Sequence, residues 1–381
     1  MKMIKIFFIT FSFIIFSFSK GKGIKNKECN IFNKKIHLIT KNKEEETPPI
    51  NIIFMLPLFF GSDEIEEEIH HDNKKLSENA LSFYFGAKAA IDLFNKKQKV
   101  NIQIFDTKNE KIRIKNFMRS YDLSNTHAII GPFFRSSLEE VAKNNKNIPI
   151  ISPFTDSDSL NFYPNVIQSE TKDIYLVEPI LEKIKIIHNN QKEKIKTLYI
   201  FGEDPSKKIT NFIKKKFLQW NLNFQILHFV KNFSNTIKNI SFFAIFLGGN
   251  TFIEKEFIDL LKKKKKIIPF GIGYHDIFYK NISLFKEYQF LFTTKYFFNK
   301  NDEKKIKFFY FFKKKLGNNL NKYPFYGFDL TYDILYRLFE NKNLFQTIDQ
   351  KSFSGLVSKY KYHKIFDKGG YVNKGFWIIR L

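Results

Sequence analysis

Hydroxyl-bearing residues follow two short apolar segments in the first half of the chain. The segment 128–130 is followed by Ser136-Ser137, and the segment 148–151 ends directly at Ser152. Short apolar runs of this kind are typical of strands buried on both faces of a parallel sheet. Ligands bind just outside the carboxyl ends of such strands. The two strand ends, both rich in Gly, Ser, Pro and Thr, therefore predict one wall of a small-molecule cleft and indicate a binding protein.

None of the common catalytic patterns occurs in the sequence. It contains no Gly-x-Ser-x-Gly elbow, no nucleotide-binding loop, no His-Glu-x-x-His and no pair of cysteines with metal-ligand spacing. Gly271-Ile272-Gly273 lacks the third Gly of a dinucleotide-binding fingerprint, and the single Cys29 permits no internal disulfide. We therefore predict a protein that is not an enzyme and that uses neither a cofactor nor a metal.

The formal net charge of +25 makes nucleic acid, an anionic membrane or another anionic polymer a partner to consider. Only five of the 63 basic residues are Arg, although Arg is the residue best suited to bidentate phosphate and guanine contacts. Lys, Asn, Ile and Phe dominate the composition, and these are the residues that AT-rich codons specify. The charge is thus attributed mainly to a biased genome, and no nucleic-acid partner is predicted.

The first 49 residues contain a predicted export signal and a linker. Two lysines precede an apolar run over 6–18, which is too short for a comfortable membrane span and suits a signal-peptide core. Ser17 and Ser19 are small residues at the positions required for cleavage before Lys20; an uncleaved anchor is the alternative. Residues 20–49 are rich in Lys, Asn and Glu and predict a solvated linker. The expected location is the periplasm or cell envelope.

The rest of the chain alternates between strand and helix patterns. Two successive β-α-β-α-β series, over about 50–168 and 198–294, predict two lobes with parallel sheets. A helix capped by Ser77 is expected after the first strand, and another helix is expected over about 302–316. The tail over 366–379 has Gly-Gly and Asn-Lys-Gly turn signals and predicts a hairpin.

This order of elements resembles the type I periplasmic binding proteins, the Leu/Ile/Val-receptor superfamily, over roughly residues 50–381. It is most similar to the versions found in Bacteroidota, which often follow LysM repeats; no such repeat is visible here. The stretches that carry the resemblance lie in the first strand and helix, at the two strand ends, before the first crossing and near the end of the chain: Ile53 to Leu58, Phe85-Gly86-Ala87 with Ala90, Ile130-Gly131-Pro132, Ile148 to Pro153, Pro164-Asn165-Val166, Gly327-Phe328-Asp329 with Tyr332-Asp333, and Phe366 to Gly375.

The resemblance implies two α/β lobes joined by a hinge of three crossing strands. The expected crossings are near Gln168-Ser169, near Thr293-Thr294 and at about 350–355. Lobe one would then comprise 50–168 and 295–350, and lobe two 169–294 and 351–381. A ligand between the lobes would favour the closed form.

The resemblance also implies the site residues. In amino-acid receptors of this family, lobe one holds the ligand carboxylate with backbone N–H groups and hydroxyls, and those positions correspond here to Arg135, Ser136, Ser137, Ser152 and Thr155. A helix N-terminus with hydroxyls suits an anion, although helix capping explains Ser136, Ser137 and Thr155 equally well. Arg135 is either a carboxylate or phosphate clamp or a surface residue.

Lobe two and the first crossing are expected to complete the site. Asp276 is the candidate partner for a ligand ammonium and Tyr274 a candidate wall of the cleft, with Gln168 at the first crossing. Solvated loop residues are the alternative for Tyr274 and Asp276.

Two functions follow from these expectations. The first is an exported solute-binding protein that closes on a small, amino-acid-like or anionic ligand, with a membrane permease as a partner. The alternative is an envelope protein that reuses the fold to bind cell-wall proteins.

Overall fold

The computed structural model describes residues 48–61, 67–228, 241–263 and 266–381. The predicted signal peptide 1–19 and nearly all of the predicted linker 20–49 lie outside these residues. The strands are β1 Ile50–Leu56, β2 Val100–Asp106, β3 Ala128–Ile130, β4 Ile150–Ser152, β5 Val166–Gln168, β6 Thr197–Phe201, β7 Gln225–His228, β8 Phe242–Phe246, β9 Ile267–Ile272, β10 Leu291–Thr294, β11 Phe353–Ser354, β12 Lys359–Tyr360, β13 Tyr362–Lys364, β14 Tyr371–Asn373 and β15 Trp377–Arg380. The α-helices are α1 Glu67–Phe94, α2 Lys111–Ser120, α3 Arg135–Asn144, α4 Asp173–Asn190, α5 Lys208–Gln219, α6 Thr251–Lys263, α7 Asp276–Lys280, α8 Ile282–Glu287, α9 Glu303–Leu316 and α10 Tyr323–Glu340.

The strands form two large sheets. One has seven strands in the order β13-β14-β5-β4-β3-β1-β2, and the other has six in the order β15-β10-β9-β8-β6-β7. All neighbours pair in parallel except β13 with β14 and β15 with β10, which are antiparallel. The fold is therefore mixed α/β with two sheets dominated by parallel strands, as the two β-α series predict.

Each sheet is covered by helices on both faces, and the strand sequences show why. In β1, Ile52 and Phe54 lie in one core with α1 and α10, whereas Ile53 and Met55 lie in a second core with α2 and α3. Side chains alternate between the two faces of a strand, so a continuous apolar run such as Ile52–Leu56 requires a core on each side. The second sheet repeats this arrangement, with α6, α7 and α8 on one face and α4 and α5 on the other.

The chain passes between the two sheets three times. The first passage follows β5 and the second follows β10, close to the positions expected at 168–169 and 293–294. The third passage lies between β14 and β15, at 374–376, and the expectation of 350–355 is wrong. The reason is that β14 pairs with β5, which extends the first sheet before the chain leaves it.

The last thirty residues therefore divide differently from the expected boundaries. Strands β11 and β12 pair with each other and contribute Phe353 and Tyr360 to the first core, and the β13–β14 hairpin belongs to the first sheet. Only β15 joins the second sheet, where it pairs with β10. The predicted hairpin over 366–379 is thus two separate features, because its apolar second strand pairs across to the other sheet.

The first helix also begins earlier than expected. Helix α1 starts at Glu67, so Ser77 lies inside it and not at its N-terminus; its hydroxyl donates to the Leu58 carbonyl at 2.7 Å. No helix among the described residues is both long and apolar enough to cross a membrane.

Helix α10 carries two fully buried carboxylates that fix the segment after it. The Asp329 carboxylate accepts hydrogen bonds from the backbone N–H groups of Leu356, Val357 and Ser358 at 2.6 to 2.9 Å. Asp333 accepts from Arg337 Nε at 2.9 Å, and the Arg337 guanidinium donates in turn to three backbone carbonyls over 347–351. These contacts anchor the loop that leads to β12.

Burial gives these two carboxylates a measurable pH response. Burial raises the pKa of Asp329 and that of Asp333 to about 6, from an ordinary value of 3.8 in an exposed chain. Each carboxyl therefore binds its proton more tightly in the folded state, and its stabilising contribution is full below about pH 4 and lost as the pH rises through 6. We expect carbon-detected NMR of the carboxyl groups to show two titrations near pH 6. Titration of both groups below pH 4 would contradict this assignment.

Candidate functional site

A cavity of about 460 Å³ lies beside the carboxyl ends of the second sheet. Its lining residues follow β6, β8, β9 and β10 or begin α4 and α5, and Tyr326 of α10 completes the wall from the first lobe: Asp173, Leu176, Glu203, Ile209, Leu247, Ile272, Gly273, Tyr274, His275, Thr294, Lys295, Tyr296 and Tyr326. The volume lies within the range of ligand-binding clefts, which is about 300 to 1,000 Å³. The cavity thus stands where open α/β sheets bind ligands.

The ammonium group of Lys295, one of the lining residues of this cavity, is the centre of a cluster of charged side chains. Its Nζ lies 2.8 Å from Glu170 Oε1 and 3.1 Å from Asp173 Oδ1, and the other Glu170 oxygen accepts a hydrogen bond from the Tyr296 hydroxyl. Burial opposes the charged form of Lys295, but the carboxylates of Glu170 and Asp173 more than offset it and raise the pKa of the ammonium. The cluster joins the first and second passages between the sheets.

Glu203 gives the cavity an acidic balance. It is one of the lining residues and forms no ion pair within the described part of the chain. Near the cluster, burial raises the pKa of Asp156 although Lys295 opposes this, so the neutral form of that carboxyl is favoured and it adds little negative charge. A ligand with a positively charged group is therefore better matched to this cavity than an anion.

Aromatic rings form much of the remaining wall. Tyr296 and Tyr326 stack with their ring centroids 4.2 Å apart, and Tyr274 stacks on Tyr279 at 5.3 Å. Tyr274 is 49% exposed, so its ring presents one face to solvent in the cavity. Tyrosine faces of this kind attract cations through the ring quadrupole.

His275 lines the cavity and is held in place by its neighbours. One ring nitrogen lies 2.9 Å from the Ile272 carbonyl, and the ring packs edge-on against Phe246. Burial lowers the pKa of this imidazole, so the neutral form is favoured. Among the described residues, no group of three His, Cys, Asp or Glu side chains is arranged to hold a metal ion.

The hydroxyls predicted for lobe one are engaged inside that lobe and do not line the cavity. Ser137 is buried and donates to Asn109 Oδ1 at 3.1 Å. The Ser152 hydroxyl both donates to the Thr155 carbonyl and accepts from the Thr155 N–H, while the Thr155 hydroxyl donates to the Phe133 carbonyl at 2.8 Å. Ser136 is half-buried in the first turn of α3. The structure thus brings Ser152 and Thr155 together as a turn.

The other predicted site residues are dispersed. Arg135 begins α3 with its side chain 61% exposed and its Nε 3.8 Å from Glu139. Gln168 is buried in β5, where its amide nitrogen donates to Asn161 Oδ1 at 2.9 Å. Asp276 is exposed at the start of α7, next to the cavity residues Tyr274 and His275 but outside the lining. Of the eight predicted residues, Tyr274 alone lines the cavity.

Asn373 ties together the first and third passages between the sheets. Its Nδ2 lies 2.9 Å from the carbonyls of Ser169 and Lys359 and from Thr171 Oγ1, and its Oδ1 accepts from the N–H groups of Lys361 and Gly375. The Thr171 hydroxyl donates to the Gly375 carbonyl at 2.7 Å. The first and third passages are therefore held side by side by buried hydrogen bonds.

Comparison with known proteins identifies the fold. The structure is similar to a protein from Rhodospirillum rubrum described as a branched-chain amino acid ABC transporter (TM-score 0.62, 12% identity, covering 88% of this chain and 97% of that one). It is similar to an ABC transporter substrate-binding protein from Desulfitobacterium hafniense in complex with Leu (TM-score 0.50, 13% identity, 88% and 98%). The C-domain of LpoA from Haemophilus influenzae, a regulator of PBP1A, also matches (TM-score 0.58, 11% identity, 87% and 99%).

The chain has the type I periplasmic binding protein fold. No family model matches the sequence, and no curated protein matches it either. The sequence identities are only 10 to 15%, so the structural matches support the fold of this chain but not the identity of a ligand. Tyr326 belongs to lobe one and lines the cavity, so the cavity lies on the side of lobe two that faces lobe one.

Of the residues predicted for the site, only Tyr274 lines the cavity, although one signal in the sequence points to other cavity residues. Glu203 follows the strand ending at Phe201-Gly202, and Lys295-Tyr296 follows the strand ending at Thr294, so both satisfy the strand-end rule used for lobe one. In a chain rich in Lys and Glu, these residues resemble ordinary solvated loops. The contacts that place Lys295 and Tyr296 in the charged cluster are made with Glu170 and Asp173, which come from a distant part of the sequence.

Proposed function

We propose that this protein is a non-enzymatic solute-binding protein that closes its lobes on a small amine-bearing ligand, such as an amino acid. The observation that carries the proposal is the cavity of about 460 Å³, in which the carboxylate of Glu203 and the rings of Tyr274, Tyr296 and Tyr326 converge. Carboxylates and tyrosine faces both favour a ligand ammonium. Lys295 supplies a positive group for a ligand carboxylate, although Glu170 and Asp173 already neutralise it.

Export to the periplasm or cell envelope and delivery to a membrane permease belong to the same proposal. They are supported by the predicted signal over 1–19 and by the structural neighbours described as ABC transporter proteins.

The proposal is tested by thermal unfolding of the protein against amino acids, small peptides, polyamines, sugars and simple carboxylates. A ligand at 100 times its dissociation constant stabilises the folded state by about 2.7 kcal/mol, which raises the melting temperature by several degrees. We expect a shift with an amine-bearing compound, and we expect it to be lost in Glu203→Gln and Tyr274→Ala. The matched control is Glu193→Gln, an exposed glutamate between α4 and β6. Shifts that survive in Glu203→Gln would place the ligand elsewhere.

The second candidate function is an envelope protein that binds a partner involved in cell-wall synthesis. Two observations favour it: the likeness to the LpoA C-domain and the internal use of the hydroxyls of Ser137, Ser152 and Thr155, which leaves lobe one few polar groups for a ligand. Absence of any shift in protein shown to be folded would contradict the solute-binding proposal and favour this one.

A further inference from the structure

Helix α9 is rich in positive charge. It contains six lysines and one acid, Glu303 in its first turn, and no Asp or Glu occurs from Lys304 to Phe328. Asp302 caps the helix by accepting from the N–H groups of Lys304 and Lys305. The lysines in the last turn complement the helix dipole, but those earlier in the helix have no such role.

The helix also exposes aromatic rings beside these lysines. Phe312 is fully buried and fixes the inner side of the helix, whereas Tyr310 is 65% exposed and Phe309 is 37% exposed on other sides. Lys307 and Lys314 lie three residues before and four residues after Tyr310, so their side chains emerge on the same face. We call the surface formed by Lys307, Tyr310 and Lys314 the basic aromatic face; Phe309 lies on a different side of the helix, near the buried Phe312.

The fold leaves the two lysines of this face without a counter-charge. Phe309 packs against Phe298 and Phe325, with ring centroids 5.9 and 6.3 Å away, so it belongs to the packed side of the helix and is not part of the face. Lys305 points inward, with its ammonium 4.9 Å from the Trp377 ring, and is not part of the face. Lys307 and Lys314 are exposed and form no ion pair with any carboxylate of the described residues. Two unneutralised lysines thus flank an exposed tyrosine.

We propose that the basic aromatic face docks this protein onto an anionic phospholipid bilayer. Lysines near an anionic membrane surface gain about 1 kcal/mol each, and aromatic side chains prefer the boundary between headgroups and acyl chains. Docking through α9 would place the first lobe against the membrane. The proposal does not depend on the cavity, so the two proposals are tested separately.

The first test measures binding of the full chain to vesicles by co-sedimentation. Phosphatidylcholine vesicles with and without phosphatidylglycerol are compared in physiological salt. Removing two interfacial charges in Lys307→Gln/Lys314→Gln is expected to weaken binding to the anionic vesicles about thirty-fold. The matched control is Lys214→Gln/Lys215→Gln, which removes two exposed lysines from α5 beside the second sheet. Residues 6–18 are identical in all variants, so their contribution cancels in the ratio.

The second test locates the face relative to the lipid. Measured as the difference from the parent protein, which contains Trp220 and Trp377, the fluorescence added by Tyr310→Trp is expected to be quenched by brominated phosphatidylglycerol, whereas that added by Leu218→Trp, which replaces a 78% exposed residue of α5, is not. Equal losses in the two lysine pairs, equal quenching at the two tryptophans, or equal binding to neutral and anionic vesicles would each overturn the proposal. Binding to soluble polyphosphate or to an acidic protein without binding to anionic vesicles would overturn it as well, in favour of a different anionic partner.

Discussion

Gly327→Ala is expected to destabilise the folded protein by about 3 kcal/mol or more, because two helix backbones touch at this position. A β-carbon at Gly327 would lie 1.9 Å from the Phe83 carbonyl oxygen of α1, and one at Gly86 would lie 1.8 Å from the Pro324 carbonyl oxygen of α10. Both obstacles are backbone atoms, so the helices must separate to make room. The better helix propensity of Ala returns only about 1 kcal/mol. Urea denaturation measures the difference.

Gly317→Ala is the control variant, because it introduces backbone strain without a steric clash. Gly317 has a φ of +57°, and no atom lies within 4 Å of the position that a β-carbon would take there, so a side chain meets only conformational strain. Its expected cost is about 1 to 3 kcal/mol, because a ψ of −127° places Gly317 outside the left-handed helical region, in a conformation that residues with a side chain rarely adopt. A loss well below about 3 kcal/mol in Gly327→Ala would show that α1 and α10 are not in backbone contact.

The sequence pattern is sufficient for the elements whose burial is decided locally. The apolar run over 50–56 is β1, and the runs over 128–130 and 242–246 are strands buried on both faces, because a strand in the middle of a covered parallel sheet must be apolar throughout. Helix α9 is expected at 302–316 and begins at Glu303, since Asp302 is a clear N-cap. The stretch Gly327-Phe328-Asp329, used for the resemblance, has a physical role in helix packing and loop anchoring.

The pattern fails where an element's neighbours are set by distant parts of the chain. An apolar strand at 376–379 and turn signals at 369–375 predict a hairpin, yet β15 pairs with β10, more than eighty residues earlier. Ser77 is a good N-cap residue, but its hydroxyl bonds to Leu58 and the helix continues past it. Local chemistry specifies each strand and each cap candidate without specifying its partner.

The site shows the same limit more strongly. Ser152 and Thr155 are candidates because hydroxyls at a strand end suit an anion, but the same hydroxyls can bond to nearby backbone groups, and here they do. Glu170, by contrast, gains its role from Lys295 and Tyr296, over 120 residues away in sequence. A sequence shows which residues could bind a ligand, whereas the fold determines which of them are already bonded to other groups of the protein.

The second large effect is expected at Asn373, whose side chain makes five hydrogen bonds, of which three are buried and go to the first and third passages between the lobes. Asn373→Ala leaves the N–H groups of Lys361 and Gly375 and two carbonyls without these partners inside the protein. Buried polar groups without partners cost about 1 to 3 kcal/mol each, so a total loss of about 4 kcal/mol is expected. The free energy of unfolding from urea denaturation measures it.

Because Asn373 lies beside the passages between the lobes, its removal is expected to affect the hinge as well as the stability of the fold. Because Asn373 holds 169–171 beside 374–375, its removal should loosen the passages that orient the lobes, and the amide protons of Lys361 and Gly375 should exchange faster with solvent. Asn189→Ala, an exposed position near the end of α4, is the matched control and should change neither stability nor exchange. Unchanged exchange at Lys361 and Gly375 in Asn373→Ala would show that the passages are held by other contacts. A loosened hinge would also weaken any ligand that binds by lobe closure, because closure would then have to order the passages at the expense of binding energy.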